Sequence, residues 1–252
     1  KLVRADLPSP GRIADVLAPV VADKRIMFHS FTDAENDLFA RVGADGRFPV
    51  PSGGDLVSVR SQNGGNNKAD LFLQRKIVYR PTFDPATGAT EAKMTVTLTN
   101  EAPSSGLPEA FLGSNDRGLP PGTNRMYFSV YSPLGLRKAS IDGQEHGFEF
   151  QKELGWSVYS QFLTIPPGGT VTVELDLFGT LSPTTYRLQV EAQPMVNPDQ
   201  LLVELEPTSG WAVASATASP KGGFAPESGG SRAVLAAPLT GDVDLRATFR
   251  ER

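Results

Sequence analysis

From Asp55 onward, apolar and polar residues alternate along the chain, as in β-strands that bury one face and expose the other. The clearest runs are residues 94–98, 126–130, 171–177, 186–190, 201–205 and 243–249. Asp142 and Gly143 lie between two extended segments and favour a two-residue hairpin turn. The pattern predicts a mainly β protein with an antiparallel β-sandwich over residues 55–209. Residues 210–252 are predicted to be a C-terminal β extension or part of the sandwich.

The first 54 residues have a different periodicity. Ser9 and Pro10 are typical of a helix start, and apolar residues at helical spacing follow them. Residues 25–29 resemble a short apolar strand, and Thr32 with Glu35 has the spacing of a capping box before a second helix. We therefore expect a small α/β segment over residues 1–54, as the tail of an incomplete domain that continues upstream.

Composition limits the possible partners and chemistry. The 252 residues carry a net charge of −4, which does not favour nucleic acid as a partner. The absence of cysteine and the presence of only two histidines argue against thiol catalysis, disulfides and cysteine-rich metal sites. No apolar run reaches the 18 or so residues that a membrane-spanning helix needs. We expect no cofactor, no metal and no membrane span within these residues.

The most unusual polar stretch lies between two predicted strands. It offers Asn63, Asn66, Asn67 and Lys68 as candidate ligand-binding residues, because amides and an ammonium group can donate hydrogen bonds to a sugar or a carboxylate. The alternative is a hairpin loop, since Asn and Gly tolerate left-handed backbone. Two longer loops, 101–122 and 219–231, are of a length typical of functional or mobile segments.

Acidic residues that could act as a catalytic pair are harder to select. Glu145, Glu149 and Glu153 lie near aromatic residues in the sequence and are the candidate acids of a glycan-cleaving site. The alternative is that they are solvated charges on exposed strand faces. No nucleophile motif or phosphate-binding loop occurs in a suitable context, so we assign no catalytic residue.

Two stretches resemble an exported actinobacterial protein family of unknown function, domain family 4012. The first runs from Asp55 through Lys68 to Tyr79; the second is residues 118–133, followed downstream by residues 165–169 and 186–188. This resemblance covers about residues 20–210. It implies a larger protein with an upstream membrane anchor, placed outside the cytoplasmic membrane and associated with envelope polysaccharide. It implies no activity and no catalytic residue.

Three functional hypotheses remain open. The first is an extracytoplasmic envelope or surface module that binds or scaffolds, with an envelope glycan or another envelope protein as partner. The second is a carbohydrate-active enzyme, a hydrolase or transferase of envelope glycans, that uses a carboxylate pair. The third is a subunit that binds a partner through exposed strand edges.

Overall fold

A computed structural model describes residues 9–113, 118–219 and 223–252. Residues 114–117 and 220–222, which belong to the two long loops of the sequence analysis, lie outside the described residues. The chain forms two compact units, Lys1–Pro49 and Val50–Arg252. The second unit includes the predicted sandwich and the predicted C-terminal extension.

The described residues of the first unit form two helices, α1 (Pro10–Ala22) and α2 (Asp33–Arg41). The side chain of Ser9 accepts a hydrogen bond from the backbone of Arg12 and caps α1, as the sequence predicts. The predicted strand at residues 25–29 is wrong, because no strand forms within residues 9–49. A strand needs a partner for its backbone groups. Phe28 instead bonds through its N–H to the Ala44 carbonyl (2.8 Å). The described part of this unit is therefore helical.

The second unit contains fifteen strands and one short α-helix, α3 (Glu109–Leu112), among its described residues. The first eight strands are β1 (Asp55–Asn63), β2 (Leu73–Phe83), β3 (Ala89–Asn100), β4 (Asn124–Ser132), β5 (Gly135–Ile141), β6 (Gln144–Glu145), β7 (Glu149–Glu153) and β8 (Trp156–Ile165). The other seven are β9 (Thr170–Thr180), β10 (Thr185–Glu191), β11 (Asp199–Pro207), β12 (Trp211–Ser219), β13 (Ala225–Pro226), β14 (Ala233–Leu239) and β15 (Val243–Glu251).

These strands build two sheets that pack as a β-sandwich. Sheet 1 has seven strands in the order β12-β15-β10-β1-β4-β8-β7. Sheet 2 has eight strands in the order β13-β14-β11-β2-β3-β9-β5-β6. The predicted mainly β sandwich is thus confirmed, and the strands after residue 210 belong to the same two sheets. The hairpin between β5 and β6 has positive φ angles at Asp142 and Gly143, as the sequence predicts.

Both sheets are mixed, whereas the sequence predicts antiparallel pairing throughout. β1 pairs with β10 in parallel, and β2 pairs with β11 in parallel. Each of these pairs joins strands that are far apart in the sequence. A parallel neighbour requires a long crossover connection, and the alternation of residues does not reveal one.

The core lies between the sheets and is made of the inward residues of the alternating runs. Its largest fully buried side chains include Tyr79, Phe83, Phe128 and Tyr186. The rings of Phe83 and Tyr186 meet edge to face at 5.3 Å between centroids. Burial of such rings removes much apolar surface from water and stabilises the sandwich. No helix of the described residues is long and apolar enough to cross a membrane.

Candidate ligand-binding site

A groove of about 370 Å³ lies on the outer face of sheet 1, where β12, β15 and β10 run side by side. Outward residues of these strands line it, because Tyr186 and Leu188 of β10 and Leu245 and Ala247 of β15 point into the core. The side chains and backbone that line the groove come from Ser52, Gly54, Asp55, Trp156, Arg187, Leu188, Gln189, Thr217, Ala218, Ser219, Asp244, Leu245 and Arg246. We call it the arginine groove.

Two arginines stand directly opposite each other in this groove. Arg187 of β10 pairs in register with Arg246 of β15, and Thr217 of β12 pairs with Arg246 on the other side. Directly opposite residues on neighbouring strands have Cβ atoms about 5 Å apart, so the two guanidinium groups share one region of the surface. Like charges in this position destabilise a sheet. The local arrangement therefore costs some stability, which solvent screening reduces because both side chains are exposed.

Neither arginine forms an ion pair with an acidic residue in the described part of the chain. Two carboxylates line the groove. Asp55 is buried and accepts from Tyr79 and Tyr186. The other is Asp244. Its pKa is raised by partial burial and by the charge of Asp242. A carboxylate paired with a guanidinium would have a lowered pKa instead. The guanidinium donors are thus available to an anion from solution.

The rest of the lining supplies hydrogen-bonding groups for an oxygen-rich ligand. Thr217 and Ser219 contribute hydroxyls, and Gln189 contributes an amide. Arginine donates in a planar fork that matches a carboxylate or a phosphate, and hydroxyls and amides both donate and accept. The groove can therefore bind an anionic, hydroxylated molecule.

The structure places the four candidate residues of the polar loop at one end of sheet 1. The Asn63 side chain accepts from the backbone of Gly65 (2.8 Å), and its amide donates to the Asn67 carbonyl (3.2 Å). Asn67 is buried, and its amide donates to the Thr123 carbonyl (2.9 Å). Asn66 and Lys68 are exposed, and Asn66 has a φ of +54°. The hydrogen bonds of Asn63 and Asn67 are thus used to hold the loop.

Replacing Asn67 by alanine is expected to lower the free energy of unfolding by about 1–3 kcal/mol. The change removes the bond to Thr123 and leaves the Ala69 N–H without its acceptor, the Asn67 side-chain oxygen at 3.1 Å. Lys68→Ala is the matched control and should change stability by less than about 0.5 kcal/mol, because its side chain is exposed. Urea unfolding measures both variants. Equal stability of the two would contradict a structural role for Asn67.

The three candidate acids do not form one site. Glu145 lies in sheet 2 and pairs with Lys138 (3.2 Å). Glu149 and Glu153 lie on β7 of sheet 1, four residues and therefore about 13 Å apart along the strand. Paired carboxylates of glycosidases stand roughly 5–10 Å apart. The spacing of these two acids does not match such a pair.

Each of the two acids on β7 instead binds a tyrosine of β4. Tyr127 donates to Glu149 (2.7 Å), and this bond raises the pKa of the phenol. Tyr131 donates to Glu153 (2.6 Å), and burial followed by this bond raises the pKa of Tyr131 to about 12. These two hydrogen bonds link the edge strand β7 to β4 across the intervening strand β8.

Two buried polar clusters between the sheets were not predicted from the sequence. In the first, the Arg75 guanidinium makes two bonds of 2.7 Å to the Asp199 carboxylate and a third, of 2.9 Å, to Ser61. In the second, Asp55 accepts from the phenols of Tyr79 (2.7 Å) and Tyr186 (2.6 Å). The charged groups of both clusters have their hydrogen-bond partners within the protein, so we assign both clusters a structural role.

Comparison with known proteins gives only distant structural similarity. No protein-family model matches the chain, and no curated protein matches it. Within the described residues, no group of three or more His, Asp or Glu side chains could hold a metal ion.

Three solved structures illustrate this similarity. One is a protein of Legionella pneumophila named as a nutrient-binding protein, at 9% identity and a TM-score of 0.46, covering 77% of this chain and 71% of that one. Another is an M1 zinc metallopeptidase of Deinococcus radiodurans, at 15% identity and a TM-score of 0.38; the match covers 69% of this chain and 42% of that one. The third is yeast LTA4 hydrolase, at 9% identity and a TM-score of 0.41; the match covers 75% of this chain and 31% of that one. The chain thus spans less than half of either enzyme, and similarity at this level does not indicate function.

Proposed function

We propose that this protein is a binding module of the bacterial cell envelope that holds an anionic ligand in the arginine groove. The observation that carries the proposal is the facing pair Arg187 and Arg246, which has no acidic partner among the described residues. Two cations that repel each other across a strand pair bind an anion better than either does alone. A bound anion would offset the repulsion between the two arginines.

The groove supports binding rather than catalysis. Its lining offers two arginines, hydroxyls and an amide, and of its two carboxylates, Asp55 and Asp244, the first is buried and accepts hydrogen bonds from Tyr79 and Tyr186. Glycan hydrolysis requires two acids at a defined separation that both reach the substrate. The extracytoplasmic location rests on the resemblance of the 55–79 and 118–133 stretches to exported envelope proteins. Catalysis on glycans and pairing through exposed strand edges stay as predictions without a specific observation in their favour.

Arg187→Gln and Arg246→Gln are each expected to weaken binding of galacturonic acid, measured by calorimetry, by about tenfold or more. Either change removes one guanidinium from the pair and leaves the groove otherwise intact. Because it also relieves like-charge repulsion, the free energy of unfolding should stay the same or rise slightly. Affinity should also fall with added salt.

Arg250→Gln is the matched control for this experiment. Arg250 lies on β15 four residues after Arg246, is exposed, and does not line the groove. Its replacement should leave the affinity for galacturonic acid unchanged. Equal losses in all three variants would indicate a general charge effect and would contradict a defined site. Recovery of the native protein in the cytosolic fraction alone would contradict the envelope location.

A further inference from the structure

A second concavity of about 260 Å³ adjoins the arginine groove. Its lining shares Ser52, Gly54 and Arg187 with the arginine groove. Residues 181–186, which connect β9 to β10 and begin β10, form the remainder together with Gly53. We call this concavity the second subsite. Arg187 thus borders both spaces, with Ser52 and Gly54 alongside it.

The second subsite is held in shape by close backbone packing. Gly53 has a φ of +79°, and a Cβ there would lie 2.3 Å from the Ser182 hydroxyl oxygen. The Ser182 N–H donates to the Gly53 carbonyl at 2.8 Å. Only glycine fits both the left-handed backbone and this close approach. The segment between the two spaces is therefore fixed against the turn that follows β9.

Thr184, which lines the second subsite, has an unusual backbone conformation. Its φ is +72°, a region that a β-branched residue rarely adopts. The Thr184 N–H donates to the Pro85 carbonyl at 2.8 Å, which holds the strained residue in place, and its side chain is exposed. Strained residues are concentrated at ligand clamps and active sites. The strain presents a threonine side chain at the subsite.

The sizes of the two spaces limit the ligand. Ligand pockets of proteins typically measure about 300–1,000 Å³. The arginine groove, at about 370 Å³, lies at the lower end of this range, and the second subsite, at about 260 Å³, lies just below it. A molecule that fills both must pass Arg187. Each subsite also contains hydroxyls, from Thr217 and Ser219 in one and from Ser182 and Thr184 in the other. These groups suit a ligand that carries hydroxyls along its length.

We infer that the ligand of the proposed binding function is an acidic oligosaccharide that extends from the arginine groove across Arg187 into the second subsite. This inference rests on the proposed function and specifies its ligand class. The net charge of −4 opposes a densely charged polymer such as polyphosphate or nucleic acid at long range. An acidic glycan instead combines a carboxylate, which suits the arginine pair, with many hydroxyls, which suit the serine and threonine side chains of both subsites.

The test measures affinity against chain length. Galacturonic acid and its dimer, tetramer and hexamer are titrated into the protein by calorimetry, with the methyl-esterified hexamer as a neutral probe of the same shape. The tetramer and hexamer are expected to bind at least about tenfold more tightly than the monomer, because they make additional hydrogen bonds in the second subsite. The methyl ester should bind weakly or not at all.

The double variant Ser182→Ala/Thr184→Gly isolates the second subsite. It removes two hydroxyls, and glycine relieves the strain at residue 184, so the protein should remain folded. The ratio of hexamer affinity to monomer affinity is expected to fall to near one. The matched control, Thr95→Ala/Thr97→Ala, removes two threonine hydroxyls from β3 in sheet 2 and should keep the wild-type ratio.

The outcomes separate this inference from the proposed function. If monomer and hexamer bind equally and both depend on Arg187 and Arg246, the second subsite is wrong and the anion-binding function stands. If no uronate binds, or if replacing the two arginines does not change uronate affinity, the second subsite and the anion-binding function are both wrong. If polyphosphate binds as tightly as the hexamer and with the same dependence on the variants, the glycan assignment is wrong.

Discussion

Replacing Asp199 by alanine is expected to lower the free energy of unfolding by about 3–5 kcal/mol. Its carboxylate receives two bonds from Arg75, and the side chains are 3% and 0% exposed, respectively. The substitution leaves the Arg75 guanidinium buried without its counter-charge. The loss reflects that uncompensated charge rather than the value of the pair itself. Urea unfolding monitored by tryptophan fluorescence measures the change.

The pair Arg80 and Glu204 provides a matched control for this experiment. It joins the same two strands, β2 and β11, at 2.6 Å, but the Arg80 side chain is 51% exposed, and Glu204 keeps a second partner, Arg232, at 3.0 Å. Exposed pairs contribute only about 0–1 kcal/mol, so Arg80→Met should have a small effect. An equal loss from both variants would contradict the role of burial.

The double variant Arg75→Met/Asp199→Leu tests the same argument from the other direction. Replacing both members of a buried pair by apolar residues is often neutral, because neither charge remains to be desolvated. We expect this variant to be more stable than Asp199→Ala. The remaining cost comes from Ser61 and Gln193, which each accept a bond from Arg75 at 2.9 Å and would lose their donor.

The alternation of residues was sufficient to predict the sandwich, and it also contained a signal for the buried clusters. Arg75 occupies the same parity as Leu73, Ile77 and Tyr79, so it points into the core with them. Asp55 has the same parity as Val57 and Val59 on β1, and its side chain is likewise buried. A charged residue at an inward position indicates a buried partner. The sequence could not identify that partner, since Asp199 follows Arg75 by 124 residues.

The arginine groove could not be predicted, because it depends on strand order and register. Arg187 is outward on its strand by alternation, and so is Arg246, but nothing local brings β10 and β15 together. Shifting the register of either strand by one residue would move its arginine to the inner face. The four polar loop residues were a visible local feature, yet the groove arises from the pairing of distant strands.

The prediction of a strand at residues 25–29 was wrong for a related reason. A short apolar run is compatible with a strand, a buried turn or part of a helix, and the partner decides between them. In the first unit, the ring of Phe28 stacks on Phe39 of α2 at 5.4 Å between centroids. Phe28 of this short run thus packs against a helix. A pattern of five residues does not distinguish such packing from pairing in a sheet.

The free energy of unfolding is expected to fall by about 2 kcal/mol, through Asp55 alone, as the pH rises from about 4 to 7. Burial raises the pKa of Asp55 to about 6, against 3.8 for an ordinary aspartate, although bonds from Tyr186 and Tyr79 oppose this shift. Between these values the folded protein binds more protons than the unfolded chain. The stabilising contribution is therefore complete below pH 3.8 and is lost as the pH rises through 6.

The variant Asp55→Asn makes this contribution measurable. Its amide cannot titrate, and the hydroxyls of Tyr79 and Tyr186 can rotate to accept from its NH₂ group. The stability of the wild type minus that of Asp55→Asn, obtained from urea unfolding at several pH values, should therefore decrease as the pH rises from 4 to 7. Asp84→Asn is the control with the opposite sign, because bonds from Thr87 and the Ala86 backbone lower the pKa of Asp84. Its difference curve should rise with pH across the acid range. Parallel curves for the wild type and Asp55→Asn would show that Asp55 does not titrate in this window, and the two phenols would then hold it ionised despite its burial.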